Sequence, residues 1–381
     1  MKKLIVAIIL FALLCGCTPT PSPNSETSST EQTEIRILVP DGDGFEEIIK
    51  EYRKQNPNTI VTVVETDEDD DFILSAKALL SGKNAPTVIL TETENLSQFE
   101  EYAEDLSGEP WVNNAFPNTL GEVSREGKLV AMPAEIEGIG FVYNKEIFEY
   151  ANINPENINS FDRLAETAEY LAGRLTALKK KFPNLVAVFE YPDEETENYL
   201  LNTAVSQEFH NSGELLENVA ELKFAESYNA LSELQQKYGK PADIDDGETV
   251  IALKNHKSVD EDTADKFDLL PVPVIDASQD SIILRTPTYW IVNKNAEKKE
   301  ISSAKKFLSW LYTSKECQTL TAEKLKFLSP FDSTEKFPKN PLAKSVRRFA
   351  ISGKTMPYIL DGINEEKYAE LKEKMQNQKQ I

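Results

Sequence analysis

The stretch from Gly127 to Phe148, GKLVAMPAEIEGIGFVYNKEIF, constrains the fold more than any other part of the chain. A short apolar run, Leu129 to Met132, ends at Pro133. Two carboxylates follow, in Ala134-Glu135-Ile136-Glu137. A second apolar run, Gly138 to Tyr143, then feeds Asn144, a good helix N-cap, and a helix starting at Lys145. The order is strand, crossing, strand, helix. Gly138 and Gly140 allow other backbone to come close beside the acids. Taken alone, the pattern also fits a β-bulge in an ordinary sheet.

Upstream, Glu34 to Pro40 alternates toward Ile35, Ile37 and Val39 and reads as a strand. After the turn Asp41-Gly42-Asp43-Gly44, Phe45, Ile48, Ile49 and Tyr52 recur at helical spacing as far as Asn56-Pro57. Ile60 to Glu65 and Pro86 to Thr91 are further strands. Phe72 to Leu80 and Leu96 to Tyr102 are further helices. This β-α-β-α-β alternation implies a parallel sheet with helices on both faces. In such sheets ligands meet the loops beyond the strands' carboxyl ends. Those loops hold Asp41 and Asp43, the acidic run Asp67 to Asp71, and Glu92 to Asn95, which supplies Glu94 and Asn95. The acidic run is no EF-hand, because Phe72 stands at the sixth position and Ala78 at the twelfth. Acids there and at 193–197 and 243–248 precede predicted helices, whose N-termini they stabilise.

Downstream, Phe161 to Lys181 is a long amphipathic helix. Leu185 to Phe189 is a strand that ends in Glu190-Tyr191-Pro192. Helices follow at Glu194 to Phe209, Leu215 to Lys237 and Glu248 to Leu253. Phe267 to Val274 and Ile282 to Asn293 are strands, with Pro271 and Pro273 marking an edge. Ile301 to Tyr312 and Lys315 to Leu325 are helices. Pro330 to Pro341 is irregular, and Glu365 to Gln376 is a polar terminal helix.

At 381 residues the chain can bury two cores. Its formal charge of −23 argues against nucleic acid as partner, since no basic stripe can neutralise phosphates. It equally disfavours electrostatic docking on anionic lipid. Met1-Lys2-Lys3 is a basic n-region. The apolar Leu4 to Leu14 is too short to span a bilayer. Leu14-Cys15-Gly16-Cys17 resembles a bacterial lipobox, in which Cys17 becomes the lipidated first residue. The alternative is a secretory leader cut elsewhere. Twelve of the sixteen residues Thr18 to Thr33 are Ser, Thr or Pro, so this segment cannot build a core and reads as a tether of roughly 20 Å. With Cys17 acylated, Cys317 has no partner and reads as a small buried apolar residue.

His210 and His256 stand alone, and no His/Cys spacing suits zinc. No G-x-S-x-G, P-loop or G-x-G-x-x-G occurs. Neither an enzyme nor a cofactor or metal is expected. A hydrolase is the third-ranked class, because pairs of carboxylates abound among 64 acids and carry little weight alone. Recognition of a polar solute such as a sugar needs flat rings and planar hydrogen-bonding groups. Glu137, Glu94, Asn95, Glu190, Tyr191, Tyr289 and Trp290 offer these. Strand alternation lets only one of Tyr289 and Trp290 face a cleft.

The crossing resembles that of family 1 extracellular solute-binding proteins, the maltodextrin-binding group. The matching residues are Gly127, Lys128, Ala131, Pro133, Tyr143, Asn144 and Lys145. Asn159-Ser160-Phe161-Asp162-Arg163-Leu164 is similar to the family's T-W-D/E-E-L helix start. Gly247-Glu248-Thr249-Val250 is similar to its G-E/K-A-A-M helix, and Ala304 to Leu311 to its A-x-x-F-L helix. These motifs cover roughly Glu34 to Pro330 in order. The resemblance implies an α/β, two-lobed periplasmic-binding-protein-like (type 2) fold, each lobe a sheet flanked by helices, with a ligand cleft between lobes. Glu137 would face that cleft. Thr91 stands where sugar-binding members carry a stacking tryptophan. Asn255-His256-Lys257 stands where many have Gly-Pro-Trp, so Lys257 brings a cation to the site. The expected organisation is a lipoprotein signal peptide over 1–16, a lipidated Cys17 with tether over 17–33, lobe one over 34–134 plus 266–314, and lobe two over 137–265 plus 315–381. The implied function is the substrate-binding lipoprotein of an ABC importer. It would be an extracytoplasmic, lipid-anchored monomer that passes a carbohydrate or other small polar solute to a permease. The alternative is a surface lipoprotein of the same fold acting as adhesin or sensor partner.

Overall fold

The computed structural model describes residues 32–378, apart from 41, 43, 67–70, 213–222, 274–279 and 364. Asp41, Asp43, Cys17 and most of the 67–71 acidic run therefore lie outside the described residues. The opening half follows the expected alternation. Strand β1 (Thr33–Val39) lies between β2 (Thr59–Glu65) and β3 (Val88–Glu92), parallel to both. Ile35, Ile37, Leu38 and Val39 of β1 are buried. Helix α1 (Phe45–Gln55) turns Phe45, Ile48, Ile49 and Tyr52 inward, with Glu46 and Glu47 in its first turn and Arg53 and Lys54 in its last, as the helix dipole favours. Gly44 enters it at φ 85°, a conformation that strains any side-chain-bearing residue. Asp71 caps α2 (Phe72–Leu80) by accepting from the Leu74 N–H at 3.1 Å. Two 3₁₀ turns, Thr93–Gln98 and Glu100–Tyr102, replace the α-helix expected at 96–102.

After the short hairpin β4 (Ser124–Arg125) and β5 (Lys128–Leu129), the two-residue strand β6 (Met132–Pro133) ends the first sheet. The chain then crosses through Ala134-Glu135-Ile136 into β7 (Glu137–Asn144), whose eight residues are all buried. Asn144 caps α3 (Lys145–Tyr150) through a 3.1 Å bond from the Ile147 N–H. Ser160 caps α4 (Phe161–Leu178). The strand expected over 185–189 shrinks to β8 (Phe189–Glu190). Helices α5 (Glu194–Ser212) and α6 (Lys223–Tyr238) pack on each other and lead to β9 (Gly239–Lys240).

Three expectations fail after this point, each for a tertiary reason. The helix expected at Glu248–Leu253 is instead strand β10 (Ile251–Asn255), wedged between β7 and β8, where its β-branched start suits the sheet. The single strand expected over 282–293 is two, β12 (Ile282–Arg285) and β13 (Thr288–Val292), parted at Thr286-Pro287 and placed in different sheets. The boundary set at 266 also moves. Strand β11 (Phe267–Leu270) and β12 both pair with β7 in the second sheet, so 266–285 does not belong with the first. Conversely, α7 (Lys298–Thr313), α8 (Lys315–Leu320) and the π-turn Thr321–Leu325 pack on β1 and α1, in the first half. Helix α9 (Leu342–Ile351) and β14 (Thr355–Pro357) were not foreseen; they cover and extend the second sheet before α10 (Glu365–Gln378).

Among the described residues, the first sheet has order β2-β1-β3-β13-β6. The second has order β14-β12-β7-β10-β8-β9, with β11 on β7. One core lies around the first sheet. Two lie around the second, and Phe116, Ile136 and Leu328 join the smaller of these at the junction of the halves.

Candidate functional site

A charged cluster forms where the chain passes between the sheets. Glu137 opens β7, and the ladder sets Arg285, the last residue of β12, directly opposite it. Arg285 Nη1 lies 3.7 Å from Glu137 Oε2. The same guanidinium binds Asp361 in a fork, Nε to Oδ2 at 2.6 Å and Nη2 to Oδ1 at 3.1 Å. From the other flank, the end of β10 and the 3₁₀ turn after it deliver three consecutive residues. Asn255 Nδ2 donates to Glu137 Oε2 at 2.8 Å. His256 Nδ1 accepts the Gly138 N–H at 3.2 Å. Lys257 Nζ lies 3.1 Å from Glu137 Oε1 and is also paired with Glu135. Asn340 Nδ2 donates to the His256 carbonyl at 2.6 Å, holding this turn in place.

One ammonium therefore serves two buried carboxylates. Burial pushes Glu137 up, but Lys257, Asn255 and Arg285 outweigh it and hold the carboxyl below its ordinary value. Glu135 pairs with Lys257, yet burial, joined by the charge of Glu137, pushes it up to about 7 against the pull of Lys257 and Arg285. Burial lowers His256 to about 4, so it is a neutral acceptor at pH 7. Burial opposes the charge on Arg285, yet Asp361 and Glu137 more than compensate. Asp361 itself is raised, by burial first and then by the charges of Glu94 and Glu137, against the pull of Arg285.

The first sheet presents a facing surface. The Tyr289 hydroxyl donates to Glu122 Oε2 at 3.2 Å, and burial raises that carboxyl to about 7. Glu94, on the turn after β3, belongs to a segment packed on the turn that holds Asp361. Asn118 of the first half bonds Thr355 of β14. Rings line the same region. Tyr358 lies under Arg285 at 5.3 Å and meets Tyr199 edge-on at 6.3 Å, and Phe327 lies 5.8 Å from Lys257 Nζ.

The residues singled out from the sequence divide accordingly. Glu137 and Lys257 touch, and Glu94 comes within electrostatic reach of Asp361. Asn95 sits beside Glu94 but turns to Glu92 Oε2 at 3.5 Å. Trp290 is fully buried with its ring edge-on to Phe45, so it is core and cannot stack on a ligand. Tyr289 is also buried, and its ring is closed to a stacking ligand; what it offers is its hydroxyl, spent on Glu122. Glu190 lies two strands from Glu137, tied to Lys254 at 3.3 Å and to the Ile244 N–H at 3.3 Å. Tyr191 follows it and is exposed. Arg285, Asp361, Glu122 and Tyr358 were not anticipated. An arginine ending the apolar run Ile282–Leu284 was the available signal for the first; Asp361 lies in a short turn that carries none.

Cavities of about 510 and 520 Å³ lie elsewhere, one between Trp111 and α7, the other between Tyr143 and Arg348. Each has an ion pair at its rim, Lys305 with Glu109 at 3.3 Å and Arg348 with Asp268 at 3.2 Å. Among the described residues no group of three His, Cys, Asp or Glu could hold a metal, and no helix is long and apolar enough to cross a membrane.

The profile of the bacterial extracellular solute-binding protein family matches residues 47–345. No curated protein sequence matches the chain. Solved structures do. A family 1 extracellular solute-binding protein from Bifidobacterium longum subsp. infantis superposes with a TM-score of 0.66 at 18% identity, over 86% of this chain and 89% of that one. The cyclic alpha-maltosyl-1,6-maltose binding protein of Arthrobacter globiformis gives 0.64 at 16%, over 86% and 88%. Apo RafE from Streptococcus pneumoniae gives 0.67 at 13%, over 87% and 89%. Likeness at these identities concerns the fold. The family match spans well over half of the sequence: this chain belongs to the bacterial extracellular solute-binding protein family, and its place is outside the cytoplasm.

Proposed function

We propose that the protein is the substrate-binding component of an ABC importer and takes a carbohydrate or similar small polar solute between its two halves. One observation carries this: Glu137, Lys257, Arg285 and Asn255 converge at the crossing between the sheets, opposite Glu122 and Glu94. Carboxylate, guanidinium and amide groups held rigidly by one another are suited to hydroxyl recognition. The ligands of proteins with this fold, raffinose for RafE and cyclic maltosyl-maltose for the Arthrobacter protein, support a sugar.

In this reading lobe one comprises 34–134 and 288–326, and lobe two comprises 137–285 and 340–378, as sheet membership supports. Solute shifts an open–closed equilibrium of the lobes, and the closed form docks on a permease. Residues 1–16 are the leader, Cys17 carries the lipid, and the segment to Thr33 is the tether.

A thermal-shift screen of the purified protein against sugars, sugar phosphates, polyols and amino acids tests the proposal. A ligand at a hundred times its Kd stabilises by about 2.7 kcal/mol. A saturable shift with one solute class supports it. No shift across the panel sinks it.

A further inference from the structure

We infer that the solute carries a protonated amine on a hydroxylated frame, an amino sugar or its oligomer, with the ammonium seated between Glu122 and Glu94 of one half and Asp361 of the other. The inference rests on the solute-binding reading above and names its ligand.

The cations already present are committed. Lys257 is shared by Glu135 and Glu137, and Arg285 by Asp361 and Glu137. Arg125, whose charge also reaches Glu122, pairs its Nη2 with Glu100 at 2.7 Å and bonds the Glu122 carbonyl rather than its carboxylate. Glu122 is met instead by the neutral Tyr289 hydroxyl, and Glu94 is exposed. Glu195 adds a further acid nearby, accepting from the Tyr199 hydroxyl. Carboxylates thus outnumber cations across the gap, and those of the two halves face each other. An anionic solute would meet this surplus directly. A neutral sugar would leave Glu122, Glu94 and Asp361 repelling one another as the halves close. A metal ion is a poor fit, since among the described residues no three such groups converge closely enough to hold one. An ammonium, with three donors and a diffuse demand on geometry, suits dispersed carboxylates. Burial and the charge of Asp361 raise the Glu122 carboxyl against the Tyr289 hydroxyl and the charges of Arg125 and Arg285, and an ammonium placed beside it would act in the same sense as those cations.

The test is calorimetric titration of the full chain near pH 7 with three probes: the β-1,4-linked glucosamine disaccharide, its N-acetylated counterpart, and maltose. The expected result is an advantage of about tenfold or more for the amine, shrinking at high salt. Glu122→Gln, which keeps a partner for Tyr289, should remove most of that advantage. With the unaltered protein in a parallel titration near pH 6, where the free amine is already protonated, amine binding should also release protons from Glu122, read from the dependence of the heat on buffer ionisation. Equal affinity for amine and acetylated probes, without proton release, overturns the inference and leaves the solute-binding reading standing. Failure of every probe to bind overturns the amine and counts against that reading as well.

Discussion

Glu135 and Glu137 stand two positions apart, both buried, with a single lysine between them. Glu137 takes the larger share of stabilising partners and stays ionised, so Glu135 holds its proton nearly to neutrality. The folded-state value of about 7 lies above the ordinary 4.5 of an unfolded glutamate. The folded chain therefore binds the proton more tightly, and stability is lost as pH rises between those two values. Glu135→Gln should raise the melting temperature at pH above 7 and change it little below pH 5, as thermal melts across pH will reveal. Glu137→Ala should weaken solute binding by roughly 1–3 kcal/mol while circular dichroism stays native; unchanged affinity would remove Glu137 from the site. Glu137 was singled out from a crossing that resembles the family's, and Lys257 from a departure, since Asn255-His256-Lys257 stands where many members have Gly-Pro-Trp. Arg285 and Asp361 were not, because only the pairing of β12 with β7 brings them to Glu137.

Among the elements, β7 is the most tightly surrounded. A methyl group on Gly140 would lie 2.8 Å from the Leu270 carbonyl oxygen of β11, which the ladder holds fixed. Gly140→Ala should thus cost about 1–3 kcal/mol in urea denaturation. Gly173, mid-way along α4, has nothing within 4 Å of its added methyl, so Gly173→Ala should stabilise by about 0.5–1 kcal/mol. Elements with strong local signals were readable in advance: β1 by alternation, α1 by its apolar stripe, α3 by its Asn144 cap. The errors fell where neighbours decide. Ile251–Asn255 has an apolar content that suits either period, and its place between β7 and β8 makes it a strand. Nothing local in Thr286-Pro287 says that the residues on its two sides belong to different sheets.

For the molecule as a whole, the reading of Cys17 as an acyl anchor predicts that Cys17→Ser moves the protein from the membrane fraction to the soluble fraction and abolishes palmitate labelling; retention on the membrane would refute the anchor. The passages between the sheets carry a mechanical consequence. The link at 134–136, the link at 286–287 and the return segment near Leu328 lie side by side. Bonds from the Ala134 N–H to the Thr288 oxygen at 2.9 Å, from the Ile136 N–H to the Leu328 oxygen at 2.8 Å, and from the Thr93 N–H to the Pro287 oxygen at 3.0 Å stitch them together. Three passages bonded to one another act as the pins of a hinge: in the proposed closure the halves swing as bodies, and two spin-label distances spanning the gap at different heights should change in fixed proportion to each other.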